Sequence, residues 1–365
     1  MKGVVSGYQT TLLLDPEGSL WCAGLNSYGQ LGLGNTSTAY KFVKNKSTKK
    51  HNIVAVSGAF YHSLILLEDG TVLFCGKQQL SDKYTTRFNV CRGLPAIEQI
   101  VSGHYHNFFL DKEMNVWARG CNGCFQLGFS DGTSRETPER VLSLPPISQI
   151  AAGVTFSLFL DVDGNVWQSG VLGMIQKVPK KIENIPAIKS ISGGITFCHM
   201  VDEQGRVWAQ GENTCGQLGL EPSNEFVVIP TIVEMDKPVI ETAGAEIHAL
   251  FLDQDGCVYS MGKGPSGQLG HGGQKYAIGP SKIPSLPKII SIFAAPQISM
   301  FVDEEGALWM CGGDMYGQLG TRRHLFPLLG DLTSQTYHNT TPFKSPMVVN
   351  TRRNAAALKS ARTAQ

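Results

Sequence analysis

With 365 residues, 42% of them hydrophobic and 17% charged, the chain can bury a sizeable core and is too apolar for wholesale disorder. A formal net charge of +1 argues against a nucleic-acid or chromatin ligand held by bulk electrostatics. No apolar run reaches the ~18–20 residues that span a bilayer. The first residues lack secretory character and the nine cysteines are scattered, so a soluble intracellular protein is expected, cytoplasmic or nuclear.

The 41 glycines follow an order. Seven segments read apolar strand, acidic turn, apolar strand, glycine: 11–24, 63–76, 107–120, 157–170, 198–211, 249–262 and 299–312. Gly18, Gly70, Gly164, Gly205, Gly256 and Gly306 hold the turn, and Asn115 replaces glycine in the third copy. Gly and Asn best tolerate positive φ, so each copy predicts a β-hairpin. Upstream of each hairpin lies a further apolar stretch, at 4–7, 53–58, 100–103, 150–153, 188–193, 239–244 and 289–294. Shorter segments precede these or end the chain, at 42–43, 88–90, 138–141, 179–182, 230–233, 280–283 and 346–349. Several begin with Pro, which suits the start of an outer edge strand.

Four short strands repeated seven times at roughly 50-residue spacing predict an all-β, seven-bladed β-propeller of four-stranded blades. The first unit lacks an outer strand and the last outer strand lacks a unit. The expectation is therefore a last blade closed by N- and C-terminal strands, with 357–361 as an alternative closing segment. Residues 1–349 then form one domain, with an insertion at about 321–345 and a basic tail at 350–365.

Five units carry Gln-Leu-Gly after the anchor glycine, at 30–32, 126–128, 217–219, 268–270 and 318–320. Trp21-x-x-Gly24-x-Asn26-x-x-Gly29-Gln30-Leu31-Gly32 resembles the regulator of chromosome condensation repeat family, over about residues 1–350. The resemblance implies a seven-bladed propeller, in agreement with the strand count. It also implies a task within a wide range: nucleotide exchange on the small GTPase Ran with chromatin binding, interaction modules of ubiquitin ligases or ciliary scaffolds, or a plant ultraviolet photoreceptor. Fold alone does not choose among them. Trp21, Trp117, Trp167, Trp208 and Trp309 all stand three residues before the anchor glycine, so one repeated structural position accounts for all five, and no photoreceptor cluster remains.

Counting back eight residues from each hairpin turn gives Thr10, His62, His106, Phe156, Phe197, His248 and Ile298, an inner-strand slot facing the channel. In the exchange factor, the resemblance implies acids on the GTPase-facing surface around this slot. Here the preceding pairs are mostly aromatic or apolar, and Glu246 is their single acid. Tyr8, Phe60, Tyr61, His104 and Tyr105 cluster at this junction in consecutive units and predict a protein-binding hot spot, with Phe156 and Phe197 read either as part of it or as core. The long departure from the repeat near the C-terminus adds Arg322, Arg323, His324 and Phe326 as candidate partner contacts.

Cys121-x-x-Cys124 is a lone pair, His104-x-His106 lacks a third ligand, and Gly262-x-Gly264-x-x-Gly267 leads into Gln-Leu-Gly and not into a helix. No nucleophile, base and oxyanion donors fall together. The expectation is a monomeric, non-catalytic propeller with no cofactor or metal, binding a protein partner through one ring face and the 321–345 loop. The other class of reading is a guanine nucleotide exchange factor for a Ran-like or related small GTPase.

Overall fold

A computed structural model describes residues 4–77, 80–221, 225–321 and 338–348. It contains seven four-stranded antiparallel sheets, each formed by consecutive strands of the chain. The first blade runs Val4–Ser6, Thr10–Leu14, Leu20–Gly24 and Ala39–Lys44, from the channel outward, and the last ends in His338–Val348. One 3-10 turn, Lys46–Thr48, lies between blades 1 and 2, capped by the Asn45 side chain.

The seven-bladed propeller is confirmed, but the expected closure is not. The outer strand of each blade pairs with the third strand of the hairpin before it, as Cys22 with Val43 in blade 1. The first strand therefore belongs to blade 1 and the last to blade 7, and no blade draws on both ends. The Pro residues also differ from expectation. Pro138, Pro179, Pro230 and Pro280 sit inside their outer strands, which begin at Arg135, Met174, Phe226 and Tyr276. There the ladder shifts register, between Ala118 and Gly120 for example, and a missing N–H is tolerated. The strand His338–Val348 also takes in residues 338–345, which spacing alone assigns to the insertion.

Apolar side chains pack in layers between neighbouring blades, and blade 1 meets blade 7 by such a layer. Leu13 of blade 1 packs with Phe293, Met300, Met310 and Leu319 of blade 7, and Trp21 and Phe42 lie against them. The Gln-Leu-Gly motif builds these interfaces. In blade 1, Asn26 Oδ1 accepts from the Leu31 amide and Gln30 Oε1 from the Tyr28 amide, which fixes the loop and drives Leu31 into the core. Blade 4 lacks the motif and turns at Gly173, where Leu172 pairs with Met174.

The Trp position is equally local. In five blades an aspartate before the turn accepts from the indole six residues on, as Asp161 from Trp167 Nε1 at 2.9 Å and Asp303 from Trp309 at 2.8 Å. Burial pushes the Asp161 carboxyl up, but hydrogen bonds from Trp167, Asn165 and Asp163 outweigh it and hold the group below the usual carboxylate range. Blade 2 has Leu67 and Leu73 at the two positions and loses both partners together.

Candidate functional site

The anchor glycine explains how the sequence presents a face. Gly76 pairs with His62, the slot residue, at a φ of +101°, and a Cβ there would stand 2.3 Å from the Tyr61 carbonyl. The next amide, Lys77, donates to that same carbonyl at 2.9 Å. On its other side, the Ala59 amide donates to the His62 carbonyl and closes a turn with Phe60 and Tyr61 at its tip. The corresponding tips are Tyr8-Gln9, His104-Tyr105, Val154-Thr155, Ile195-Thr196 and Glu246-Ile247. Neighbouring tips are joined by main-chain bonds, from His104 to Gly153, Val154 to Ile195 and Ile195 to Ala245, at 2.8–3.3 Å. The tip residues thus ride on a hydrogen-bonded collar around the channel mouth, a shallow cavity of about 110 Å³ lined from all seven blades.

The slot residues point away from this surface. His62, His106, Phe156, Phe197 and His248 are all buried, so the two phenylalanines are core and leave the predicted hot spot. His62 Nε2 meets Asn107 Oδ1 at 2.7 Å, His106 Nε2 meets Ser157 Oγ at 3.1 Å, and His248 Nε2 meets Ser299 Oγ at 2.9 Å. Each bond crosses to the next blade. Ser299 donates its own proton to the Gln268 carbonyl, so it accepts from His248, whose proton sits on Nε2. Burial pushes His62 down to about 4 and His106 and His248 down to about 3. His106 is thus committed to Ser157 and does not join His104 as a chelating pair. Among the described residues no three His, Cys, Asp or Glu side chains could share a metal ion, and Cys121 and Cys124 are free thiols.

The tips of blades 1–3 bring the aromatic candidates together. Phe60 stacks on Tyr8 at 4.1 Å between centroids, meets Tyr61 edge-on at 4.2 Å and His104 at 4.6 Å. Tyr105 lies against His104 at 5.0 Å and is 39% exposed. Two further rings extend the cluster outward. Tyr28, from the Gln-Leu-Gly loop, meets Tyr61 at 4.9 Å, and Tyr84, at the start of the blade 2 outer strand, meets Tyr28 at 6.3 Å and is 49% exposed. Sequence reasoning misses both, because they come from segments outside the slot register. The one signal for Tyr28 is its counterpart Tyr316, each standing just before the glycine of its loop.

Electrostatically this face is sparse. Burial holds His104 at about 4, so it is neutral near pH 7. Burial raises the Tyr8 hydroxyl, and Glu246, Tyr61, Tyr316 and Tyr105 push it further the same way, which places Glu246 within range of the cluster. Burial also raises the Glu246 carboxyl. Lys77 Nζ lies 5.3 Å from the Tyr28 ring centroid and pairs with Asp82 at 3.0 Å. Arg322, Arg323, His324 and Phe326, and the tail 350–365, lie outside the described residues.

The sequence pattern described as "Regulator of chromosome condensation (RCC1) repeat" matches residues 17–66, 115–160 and 255–302, and a second pattern of that description matches 1–30. The chain carries RCC1 repeats. The regulator of chromosome condensation of Xenopus laevis is 25% identical over 335 residues, covering 87% of this chain and 72% of that protein. A probable E3 ubiquitin-protein ligase of Homo sapiens, HERC4, is 29% identical over 152 residues, 39% of this chain. The chain spans only 14% of that ligase's length. The crystal structure of Prp20p from Saccharomyces cerevisiae superposes with a TM-score of 0.77 at 20% identity, over 94% of this chain and 90% of that one. This last likeness establishes the RCC1-type fold alone. No described helix is long and apolar enough to cross a membrane.

Proposed function

We propose that this RCC1-type propeller is a non-catalytic interaction module that binds a protein partner through the ring face of blades 1–3. One observation carries the reading: an unbroken run of rings, Tyr84, Tyr28, Tyr61, Phe60, Tyr8, His104 and Tyr105, mounted on a hydrogen-bonded collar with little charge. Tyrosines held rigid beforehand lose little entropy on binding and anchor interfaces well. The segment before the last strand, 321–337, with Arg322, Arg323, His324 and Phe326, is proposed as a second contact. All nine cysteines are free thiols, which accords with residence in a reducing, intracellular compartment.

A second reading is nucleotide exchange on a small GTPase. It draws on the likeness to the Xenopus regulator across most of the propeller and on Prp20p, whose structure was reported with its binding to Gsp1p and histones. Glu246, at the tip of blade 6, would be its acid. The scarcity of other acids among the tips favours the first reading. Release of a fluorescent guanine nucleotide from a panel of small GTPases separates the two. Release at the uncatalysed rate in every case upholds the interaction module, and strong acceleration in any case replaces it with exchange.

A further inference from the structure

A second, unrelated feature lies at the junction of blades 2 and 3. A cleft of about 330 Å³ opens there between their outer strands. Arg119, from the third strand of blade 3, lines it half-buried. Its guanidinium lies 5.0 Å from the Phe74 ring and donates from Nη1 to Cys91 Sγ at 3.4 Å. Among the described residues no carboxylate forms an ion pair with it, whereas Arg135, in the same cleft, is committed to Asp131 at 3.0 Å and Glu139 at 2.6 Å. Arg92 lines the cleft as well, and so does one acid, Glu136. Thr85 Oγ1, in the wall, is shielded from solvent and has no partner among the described residues.

A half-buried guanidinium with four of its five N–H groups uncommitted among the described residues, beside a hydroxyl likewise unpartnered there, is a donor set without an acceptor among those residues. We propose that this cleft binds a phosphomonoester group, with Arg119 as its bidentate anchor, Arg92 as the second cation and Thr85 as a hydroxyl donor. Two guanidiniums and a hydroxyl match a dianion with three acceptor oxygens better than a carboxylate with two. The volume falls at the small end of ligand clefts and suits one phosphorylated side chain or a small ester. Nothing in this proposal depends on the aromatic face.

The test is calorimetric titration of the intact chain with O-phosphoserine, with serine at matched ionic strength as control. Saturable binding of O-phosphoserine alone is expected, weakened about tenfold or more in Arg119→Gln and less in Arg119→Lys. Equal responses to serine and O-phosphoserine, no response to either, or an unchanged Arg119→Gln would overturn it. Should Arg119→Gln fail to fold, Arg92→Gln combined with Thr85→Val carries the same comparison. A degenerate peptide library with a central phosphoserine then separates the sources. Tighter binding than the free amino acid assigns the group to a protein side chain, and equal binding assigns it to a small ester.

Discussion

Thr11 Oγ1 donates a 2.7 Å hydrogen bond to the carbonyl of Gln318, 307 positions further along the chain. The same bond recurs between blades 6 and 7, from Ser299 to Gln268, and between blades 3 and 4 the corresponding Gln126 carbonyl accepts instead from Ser169 on the third strand. The ring therefore closes through one more copy of its ordinary inter-blade contact and needs no exchanged strand. Removing the donor leaves a buried carbonyl unpaired, so Thr11→Val should cost about 1–2 kcal/mol in urea unfolding. Ser299→Ala should cost about twice that, because it breaks the bonds to both Gln268 and His248. A neutral Thr11→Val would show that the termini are held together by something else.

The Asp–Trp pairs predict a coupling. Replacing Asp161 with Leu strands the Trp167 indole N–H and two turn amides, and replacing Trp167 with Leu takes one donor from a carboxylate that keeps Asn165 and the Asp163 amide. Blade 2 shows that the turn forms with Leu at both positions. The double variant should be more stable than the sum of the single losses predicts, by about 1 kcal/mol in a double-mutant cycle. Strict additivity would mean that the hydrogen bond contributes nothing.

Acid should weaken the ring through its buried histidines. His62, His106 and His248 titrate at about 4, 3 and 3 when folded, against 6.5 for an unperturbed group. The unfolded chain therefore binds more protons as the pH falls below 6.5, and stability drops with it. Each histidine adds up to about 1.4 kcal/mol per pH unit until its folded value is reached. Above 6.5 the term is fully favourable and flat. His106→Phe should flatten the dependence, since Gly103 stands three residues before it as Gly153 does before Phe156. Urea midpoints at about pH 7.5 and about pH 5 give the comparison, and an identical drop in both proteins would exonerate His106.

The aromatic face predicts a separation of binding from stability. Tyr61→Ala with Tyr105→Ala should abolish partner capture while shifting the unfolding midpoint little, because both side chains stand at turn tips outside the inter-blade layers. Phe156→Ala, by contrast, empties a fully buried position and should cost about 3–5 kcal/mol. Global unfolding of the tyrosine pair would instead place those rings in the core.

Blade number, hairpins, the Trp position and the Gln-Leu-Gly motif were legible in the sequence because each is a short-range device. Asp161 reaches six residues to Trp167, and Asn26 reaches five to the Leu31 amide. Which hairpin an outer strand joins was not legible. Lys44 ends its strand nine residues before Ile53, but Ala39 begins it fifteen residues after Gly24. Proximity along the chain therefore points to the following hairpin, while main-chain pairing takes the preceding one. Burial likewise separated Phe156 from Phe60, two aromatic residues two register positions apart in the repeat. Only the folded ring could bring Tyr28 and Tyr84 to Tyr61, or leave Arg119 without an ion-pair partner among the described residues, since distances across blades are set by packing and not by spacing along the chain.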